Sequence, residues 1–502
     1  MVPHCGWPER DGIVNIELQV LGSALRAIAE EMGAVLVRSA FSANIKERRD
    51  CSTALFDERG RLIAQAEHIP VHLGAMPDAV ASVIAEQPGP DDVFVLNDPY
   101  AGGTHLPDIT LVSRTELGYA ANRAHHADVG ATEPGSMPAG SRTLAEEGVV
   151  IPPTRLGDRT LEQLAGRMRN PEERLGDFRA QRAAQRVARE RVAELCARRG
   201  RDRVAAAMAE LYAYSERVVR ARISRLPNGR YEAIEILEPL EGEVEIRAAV
   251  TIDGDEIDID FAGTSQQHDG NLNCPLSVTR SASYFVVRCL TDPDVPASGG
   301  AFAPVTVRAP AGCLVNAKPP AAVAGGNVET SCRIVDVLFR ALAEATDVPA
   351  QGQGTMNNVT LGNERFTYYE TIGGGQGACP DADGPSGVHV TMSNTLNTPV
   401  EALELGYPLR VERYTLRRGS GGEGKHRGGD GVIRELRVLE DCRLSIISER
   451  RARAPAGVRG GGDGVRGRNL VNGNDVGAKV TRDLRAGDVV AIETPGGGGL
   501  AE

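Results

Sequence analysis

The chain has no apolar run approaching the ~20 residues that span a bilayer, which excludes a transmembrane helix. Nor has it a surplus of positive charge. Its 56 Lys and Arg face 68 Asp and Glu, a formal net charge of −12, which disfavours a nucleic-acid or anionic-membrane partner. The opening residues, Met-Val-Pro-His-Cys-Gly-Trp-Pro, lack the apolar centre of a secretion signal. Nine cysteines, an odd number with no Cys-x-x-Cys, suit free thiols in a reducing compartment, so a cytoplasmic protein is expected. No Gly-x-Ser-x-Gly elbow with a histidine partner is present, which argues against a serine-nucleophile hydrolase. A complete phosphate loop is also missing. Gly419-Ser-Gly-Gly-Glu-Gly-Lys-His426 fits Gly-x-x-x-x-Gly-Lys but ends in His, where Ser or Thr must hold Mg²⁺. Glu423 inside that segment would repel phosphate, and the flanks read strand–loop–strand without the helix an anion site needs. An ATP site within this chain is therefore not expected.

What remains is ordinary in bulk: 502 residues, 41% hydrophobic and 25% charged, enough for two or three domains around a buried core. Glycine is frequent, 58 residues against roughly 7% in average proteins, and lies in short separate clusters. Runs at 373–375 and 496–499 could turn backbone N–H groups toward an anion, but close-packed turns explain them better.

Histidines number only nine, yet His105, His125 and His126 fall with Asp108 and Asp128 within 24 positions. Pro107 bars a helix there, so His105 and Asp108 sit in a turn that can aim both side chains at one point. Residues 109–112 read as a strand, Gly118-Tyr119 as part of a turn region, and a second strand ends at Ala124. Such a return brings the histidine pair back beside His105. Two imidazoles and a carboxylate with an open position make the ligand set of a hydrolytic Zn²⁺ or Mn²⁺ site. A strand places His125 and His126 on opposite faces, so only one of them joins His105 and Asp108 easily. The other, with Asp128, is left to orient ligands or handle protons. His68 and His72 have helical spacing, but Pro70 lies between them, leaving them to line the pocket from a loop. His268, His389 and His426 have no ligand-like neighbours and are read as structural.

The fold class expected is mixed α/β (α+β), with a helical hairpin in the N-terminal half and a β-rich C-terminal half. Apolar spacing predicts a helix over 14–39, a β-hairpin over 51–64, a short helix over 76–86 and a buried strand at 93–96. Residues 161–223 read as helical, with a pair at 176–198 and 201–222 broken by Arg199-Gly200. Their many arginines, interleaved with Glu and Asp, read as a solvated face instead of a basic groove. Strands follow at 232–237, 243–252 and 256–261, with Asp253-Gly254 as a hairpin turn. Helices are expected at 277–291 and 328–344, where Glu329 would complement the helix dipole. Strands return at 366–372 and 386–392, and an all-β ending begins near Val411. Three interleaved regions result: 1–225, 226–405 and 406–502.

Many ordered segments resemble the hydantoinase B/oxoprolinase family. They include Glu47-Arg-Arg-Asp-Cys-Ser-Thr-Ala-Leu-Phe-Asp57, His68-Ile-Pro-Val-His-Leu-Gly-Ala-Met-Pro77, Asn97-Asp-Pro-Tyr-Ala-Gly-Gly-Thr-His-Leu-Pro-Asp108, Pro134-Gly-Ser-Met-Pro138, Glu146-Glu-Gly148, Gly325-Gly-Asn-Val-Glu-Thr-Ser331, Gly352-Gln-Gly-Thr-Met-Asn-Asn358 and Thr494-Pro-Gly-Gly-Gly-Gly499. The resemblance implies the metal-bearing hydrolytic subunit of an ATP-dependent cyclic amidase. A hydantoinase A-type partner would bind ATP and Mg²⁺ and phosphorylate the carbonyl oxygen of a cyclic amide, in a cytoplasmic hetero-oligomer. A ketone carboxylase subunit and a non-catalytic scaffold are the alternatives. The resemblance favours His125 as the metal ligand beside His105 and Asp108, with His126 its close rival. It leaves Asp128, Glu147 and the unused histidine for proton transfer, and Ser136 and Met137 for substrate contact. Two departures touch this site: only 16 residues separate Asp108 from His125, and Gly130-Ala-Thr stands where paired glycines are expected. Cys51, Cys332 and Cys379 lie near these segments but have no His/Asn signature, and are read as small packed side chains.

Overall fold

The computed structural model describes residues 16–66, 69–291 and 295–501; the expectations on the N-terminal segment, Cys5 and His68 lie outside them. The expected first helix is Ile16–Ser39. Its Leu21, Leu25, Ile28, Met32 and Leu36 join one core with Ala180, Ala184, Ala188 and Val192 of the helix Pro171–Arg199. These two helices cover one face of a six-stranded sheet. Its members are β1 (Cys51–Asp57), β2 (Leu62–Ala66), β3 (Val93–Leu96), β4 (Asp108–Thr115), β5 (Gly118–His125) and β6 (Thr154–Arg155), in the order β2-β1-β5-β4-β3-β6. The helix Ala75–Ala85 covers the other face. Side chains alternate accordingly: Cys51 and Leu55 pack with the helix pair, Ala54 and Phe56 with Met76, Val80 and Val83. Burial on both faces explains why β5 is buried along its whole length. Gly118 and Tyr119 belong to β5 and not to the turn, which is made by Glu116 and Leu117.

The break at Gly200 (φ 87°) separates Pro171–Arg199 from Arg201–Ile223. Arginines on these helices pair with acidic neighbours, Arg191 with Glu31 at 2.8 Å and Arg201 with Glu58 at 2.6 Å, as on a solvated face. The expected meander is β7 (Gly229–Leu237), β8 (Val244–Asp253) and β9 (Glu256–Asp260), extended by the parallel β10 (Val305–Arg308). The helices Leu276–Cys289 and Ser331–Leu342 contribute to the largest core together with β8.

The remaining strands are β11 (Asn358–Gly362), β12 (Thr367–Glu370), β13 (Leu409–Arg417), β14 (Gly431–Val438), β15 (Cys442–Ile447), β16 (Arg468–Val471), β17 (Asn474–Asp475), β18 (Lys479–Leu484) and β19 (Val489–Glu493). They form two sheets, β12-β11-β15-β18 and β13-β14-β19-β16-β17. The first pairs residues 358–370 with 442–484, so the middle of the chain and its later part share one sheet. Buried ions tie this part to the helix Ser331–Leu342. Arg333 meets Asp336 at 3.0 Å and Glu449 at 3.5 Å, and Lys479 meets Glu449 at 2.7 Å.

Residues 386–392 are not a strand. Gly387 (φ 65°) and Thr391 (φ 56°) break the extended run, which leaves a single bridge between Gly374 and Val388. His389 within it is held by Ser393 Oγ at 2.6 Å. The late glycine clusters are not isolated turns either. Segments near 375–378, 421–429, 456–464 and 496–499 lie against one another as extended chains joined by main-chain hydrogen bonds. Gly422 donates to Gly497, Gly497 to Gly429, Gly499 to Gly462, and Ala378 to Gly498. A Cβ on Gly428 would stand 2.0 Å from the Gly497 oxygen, and one on Gly497 would stand 2.0 Å from the Gln376 oxygen. Only glycine permits that approach. The phosphate-loop-like segment runs from β13 toward β14 within this lattice. Its Gly421 N–H donates to Asp430 Oδ1 and its Gly422 N–H to a carbonyl.

No helix among the described residues is long and apolar enough to cross a membrane. The eight described cysteines are free thiols; Cys51 and Cys332 are buried and Cys379 half-buried.

Candidate metal centre

The β4–β5 hairpin does most of the assembly. Its register sets Asp108, the first residue of β4, directly opposite His125, the last of β5. His105 lies in the turn entering β4, where its carbonyl accepts from the Asp108 N–H at 3.1 Å. His105, Asp108 and His125 are all buried, and one potential ligand atom from each lies within 4.8 Å of the others. His105 Nδ1 stands 3.0 Å from Asp108 Oδ2, and His125 Nδ1 stands 3.4 Å from Asp108 Oδ1.

Two residues outside the expected ligand set join them. His72, at the end of a 3₁₀ turn, brings Nε2 to 3.4 Å from Asp108 Oδ2 while its Nδ1 meets Ser52 Oγ at 2.9 Å. Asp50 immediately precedes β1. Its carbonyl accepts from the His125 N–H at 3.0 Å, and its carboxylate lies 3.9 Å from His125 Nδ1. Arg48 fixes this corner from beneath, donating to Tyr369 O at 2.9 Å and Thr371 Oγ1 at 2.5 Å. Tyr369, on β12, stacks on the His125 ring with centroids 4.6 Å apart and planes 7° apart.

The electrostatics suit a cation. Burial alone would raise the Asp108 carboxyl, but the imidazoles of His105 and His72 and hydrogen bonds from His105 and His125 hold it well below the usual carboxylate range. Burial lowers His125 to about 4, against its hydrogen bond to Asp108, so it is neutral at pH 7. Burial also lowers His72. A neutral His125 beside an ionised Asp108 is the pair of protonation states that ligands require. The nitrogen–oxygen separations of 3.0–3.9 Å match the ligand spacing of about 3.4 Å that ~2.1 Å tetrahedral bonds would give. Nε2 of His72, His105 and His125 are all buried without hydrogen-bond partners. On this geometry and donor chemistry the residues fit a divalent metal.

The two adjacent histidines leave opposite faces of β5. His126 turns toward the helix Pro171–Arg199, where Nε2 meets Gln181 Oε1 at 3.0 Å and the ring packs on Phe178. A proton-transfer role for His126 finds no support in that position. Asp128 is likewise occupied elsewhere. It accepts from Gly130 N and Gly135 N at 2.7 Å each and from Arg169 at 3.1 Å, bracing the loop that follows β5. Ser136 completes this brace, with Oγ accepting from Val129 N at 2.8 Å, and the Met137 side chain is buried in the largest core. Both side chains are buried, Ser136 within the loop after β5 and Met137 in that core. Glu147 accepts from Val323 N and Ala324 N at 3.0 Å each and from Ser141 Oγ at 2.9 Å. Burial pushes its carboxyl up to about 7 against those donors.

Asp50 behaves differently from Asp108. Burial and the neighbouring Asp108 carboxylate push it up to about 7, beside the ligand cluster. Its segment, Arg-Arg-Asp-Cys-Ser-Thr, carries the only sequence signal that could have placed it here.

A third carboxyl, Glu329, is pushed up to about 8 by burial and then by Glu449, and its Oε2 has no partner. In the unfolded chain Glu titrates at about 4.3. Between those values the folded state holds a proton that the unfolded state lacks. The stability this group confers is therefore complete below about pH 4 and lost as pH rises through 8. Melting of the metal-free protein is expected to fall between about pH 5 and 8, by up to ~1.4 kcal/mol per pH unit for this group. Glu329→Gln should flatten the profile, and an unchanged slope in that variant would refute the assignment.

The family model described as Hydantoinase B/oxoprolinase matches residues 15–502. An uncharacterized protein of Methanocaldococcus jannaschii is 42% identical, covering 97% of this chain and 90% of its own length. Arabidopsis thaliana 5-oxoprolinase 1 is 39% identical over 97% of this chain, which spans only 42% of that relative. The B-type subunit of a putative D-/L-hydantoinase from a Pseudomonas species is 32% identical, covering 96% of this chain and 89% of the relative. Among solved structures, the ATP-dependent caprolactamase of Pseudomonas jessenii superposes with a TM-score of 0.89 at 26% identity, covering 98% of this chain and 92% of that one.

Proposed function

The chain belongs to the hydantoinase B/oxoprolinase family, and from that premise we propose that it is the metal-bearing member of an ATP-dependent cyclic amidase. The observation that carries the reading is the buried convergence of His105, Asp108 and His125, with ligand atoms inside 4.8 Å of one another. The relatives named as a 5-oxoprolinase, a hydantoinase component and a caprolactamase support a lactam or cyclic imide as substrate. This chain spans about two-fifths of the 5-oxoprolinase but nine-tenths of the hydantoinase component, which favours an A-type companion chain for the ATP step.

The division of labour has a chemical logic. An unstrained amide is a poor electrophile, and phosphorylating its oxygen on the companion chain creates a leaving group. His105, Asp108 and His125 would hold a Zn²⁺ or Mn²⁺ ion, with Asp50 adjoining. When bound, such an ion lowers the pKa of water toward about 7 and polarises a carbonyl. Asp50, half-protonated near neutrality, is placed to take the proton of the attacking water on Oδ2. Glu147 titrates in the same range, but its two oxygens hold the amides of residues 323 and 324, so we assign it to positioning.

The test is product analysis with the purified chain, an A-type companion, ATP and ¹⁸O-water. Ring opening of 5-oxoproline, a hydantoin or caprolactam is expected only when both chains and ATP are present, with ¹⁸O in the new carboxylate. Incorporation of labelled bicarbonate into a ketone, without ring opening, would replace this reading with that of a carboxylase component. ATP turnover by the single chain would contradict the division of labour.

A further inference from the structure

The helical segment leading into Ser331–Leu342 is not a regular α-helix. A first turn begins at Ala324, and Gly326–Thr330 then widens into a π turn, a feature often found beside functional sites. Two side chains of this turn, two residues apart, reach two different histidines of the metal centre. Asn327 Nδ2 lies 3.1 Å from His105 Nδ1. Glu329 Oε1 accepts from Asn358 Nδ2 at 2.8 Å and from Met356 N at 3.2 Å. Asn358 Oδ1 in turn accepts from the Tyr369 hydroxyl at 2.8 Å, and the Tyr369 ring is the one stacked on His125. All four side chains are buried.

Resting on the metal reading above, we infer that this π turn is the positioning element of the centre: Asn327 sets His105 directly, and Glu329 sets His125 through Asn358 and Tyr369. The Asn327 amide and the Asp108 carboxylate, 3.1 and 3.0 Å from the same His105 nitrogen, bracket that edge of the ring and fix its rotation. The His125 ring has a flat support whose tilt is fixed at the far end by the Asn358–Glu329 bond.

The turn is itself rigidly seated, as a positioning element requires. Glu147 satisfies the first free amides of the segment, at Val323 and Ala324. Thr330 Oγ1 donates to Leu272 O at 2.6 Å. Ser331 Oγ donates to the Asn327 carbonyl at 2.6 Å, the kind of side-chain bond that competes with regular helix bonding. At Gly326 a Cβ would fall 1.8 Å from the Asn273 oxygen, so the turn presses on the neighbouring backbone without a side chain between them. Glu147, expected from the sequence to move protons, acts instead at one remove, by anchoring the turn.

Metal titration tests this without recourse to turnover. The full-length protein is stripped and titrated with Co²⁺, reading both the affinity and the visible d–d bands, and folding is followed by thermal melting. Asn327→Ala and Glu329→Ala should weaken Co²⁺ by ~10–100-fold and shift the bands while the protein still unfolds cooperatively. Glu329→Gln, whose amide oxygen can still accept from Asn358 and Met356, should keep most of the affinity. Unchanged affinity and bands in both alanine variants would overturn the inference. So would an affinity loss confined to variants that no longer unfold cooperatively. His105→Ala separates the two levels. If it binds Co²⁺ as tightly as the unsubstituted protein, the metal reading itself falls. If it loses Co²⁺ while the turn variants do not, only the positioning role falls.

Discussion

Asp108→Ala is expected to leave the purified protein without its divalent metal and to lower cyclic-amide opening in the reconstituted complex by on the order of 10³-fold or more, since several kcal/mol of charge stabilisation leave with the ion. Asp108 is the side chain on which the others converge. His72, His105 and His125 all lie within 3.4 Å of its two oxygens, and Thr104 donates to Oδ2 at 2.5 Å. Without it, the three imidazoles lose the ionised carboxylate placed among them to balance a dication. Asp108→Asn should fail nearly as badly, because it keeps the shape and loses the charge. His125→Ala should share the metal loss. His126→Ala should retain metal and cost only the Gln181 bond and the contact with Phe178, about 1–3 kcal/mol of stability. Elemental analysis alongside turnover decides the matter. Full metal content in Asp108→Ala would remove this centre from consideration.

The second large effect is expected far from this cluster. Gly428→Ala should destabilise the fold by more than ~4 kcal/mol, beyond what ordinary single substitutions do. The added Cβ would lie 2.0 Å from the Gly497 oxygen and 2.5 Å from its carbonyl carbon. A Cβ has no rotamer with which to escape, and the atoms it meets are backbone, so two segments must separate. Gly406→Ala is the matched control, for a Cβ there meets nothing within 4 Å. It should be neutral or slightly stabilising, because the unfolded chain loses freedom. Urea unfolding of both variants gives the comparison. Equal midpoints would show that the glycine segments can spread at little cost.

The candidate metal centre is half legible in the sequence. A turn before one strand and a histidine pair ending the next is a local pattern, and a hairpin with a two-residue connection fixes Asp108 opposite His125. Alternation in a strand also requires His125 and His126 to face opposite ways. It says nothing about which face is inward, because that is decided by the helix Pro171–Arg199, whose Gln181 and Phe178 claim His126. Asp50, His72, Asn327 and Tyr369 arrive at the cluster from other segments. Spacing along one stretch carries no trace of contacts across 222 positions, as between His105 and Asn327. The fold shows the same division. Helix Ile16–Ser39 and strand Val93–Leu96 follow from local periodicity. Residues 386–392 have strand-like composition, but Gly387 and Thr391 adopt left-handed conformations that break the run. Glu329 has the sequence position of a helix-dipole partner, whereas a π turn carries it inward and Glu147 takes the free amides.

The glycine lattice also imposes an order of events on synthesis. Segments near 376, 429 and 462 meet one another across residues 496–499, which sit between them and share hydrogen bonds with each. The last of these four stretches to be made is thus the middle of a packed layer. As the polypeptide emerges from the ribosome N-terminal part first, at roughly 5–20 residues per second, the strands that carry His105 and His125 can pair early. The lattice has no central layer until residues 496–499 have cleared the exit tunnel. Until then Gly429 can still pair with Gln376 and Gly462 with Glu423, but the N–H groups of Gly422, Val458 and Ala378 lack their acceptors. Insertion of that one short stretch between its neighbours completes the layer.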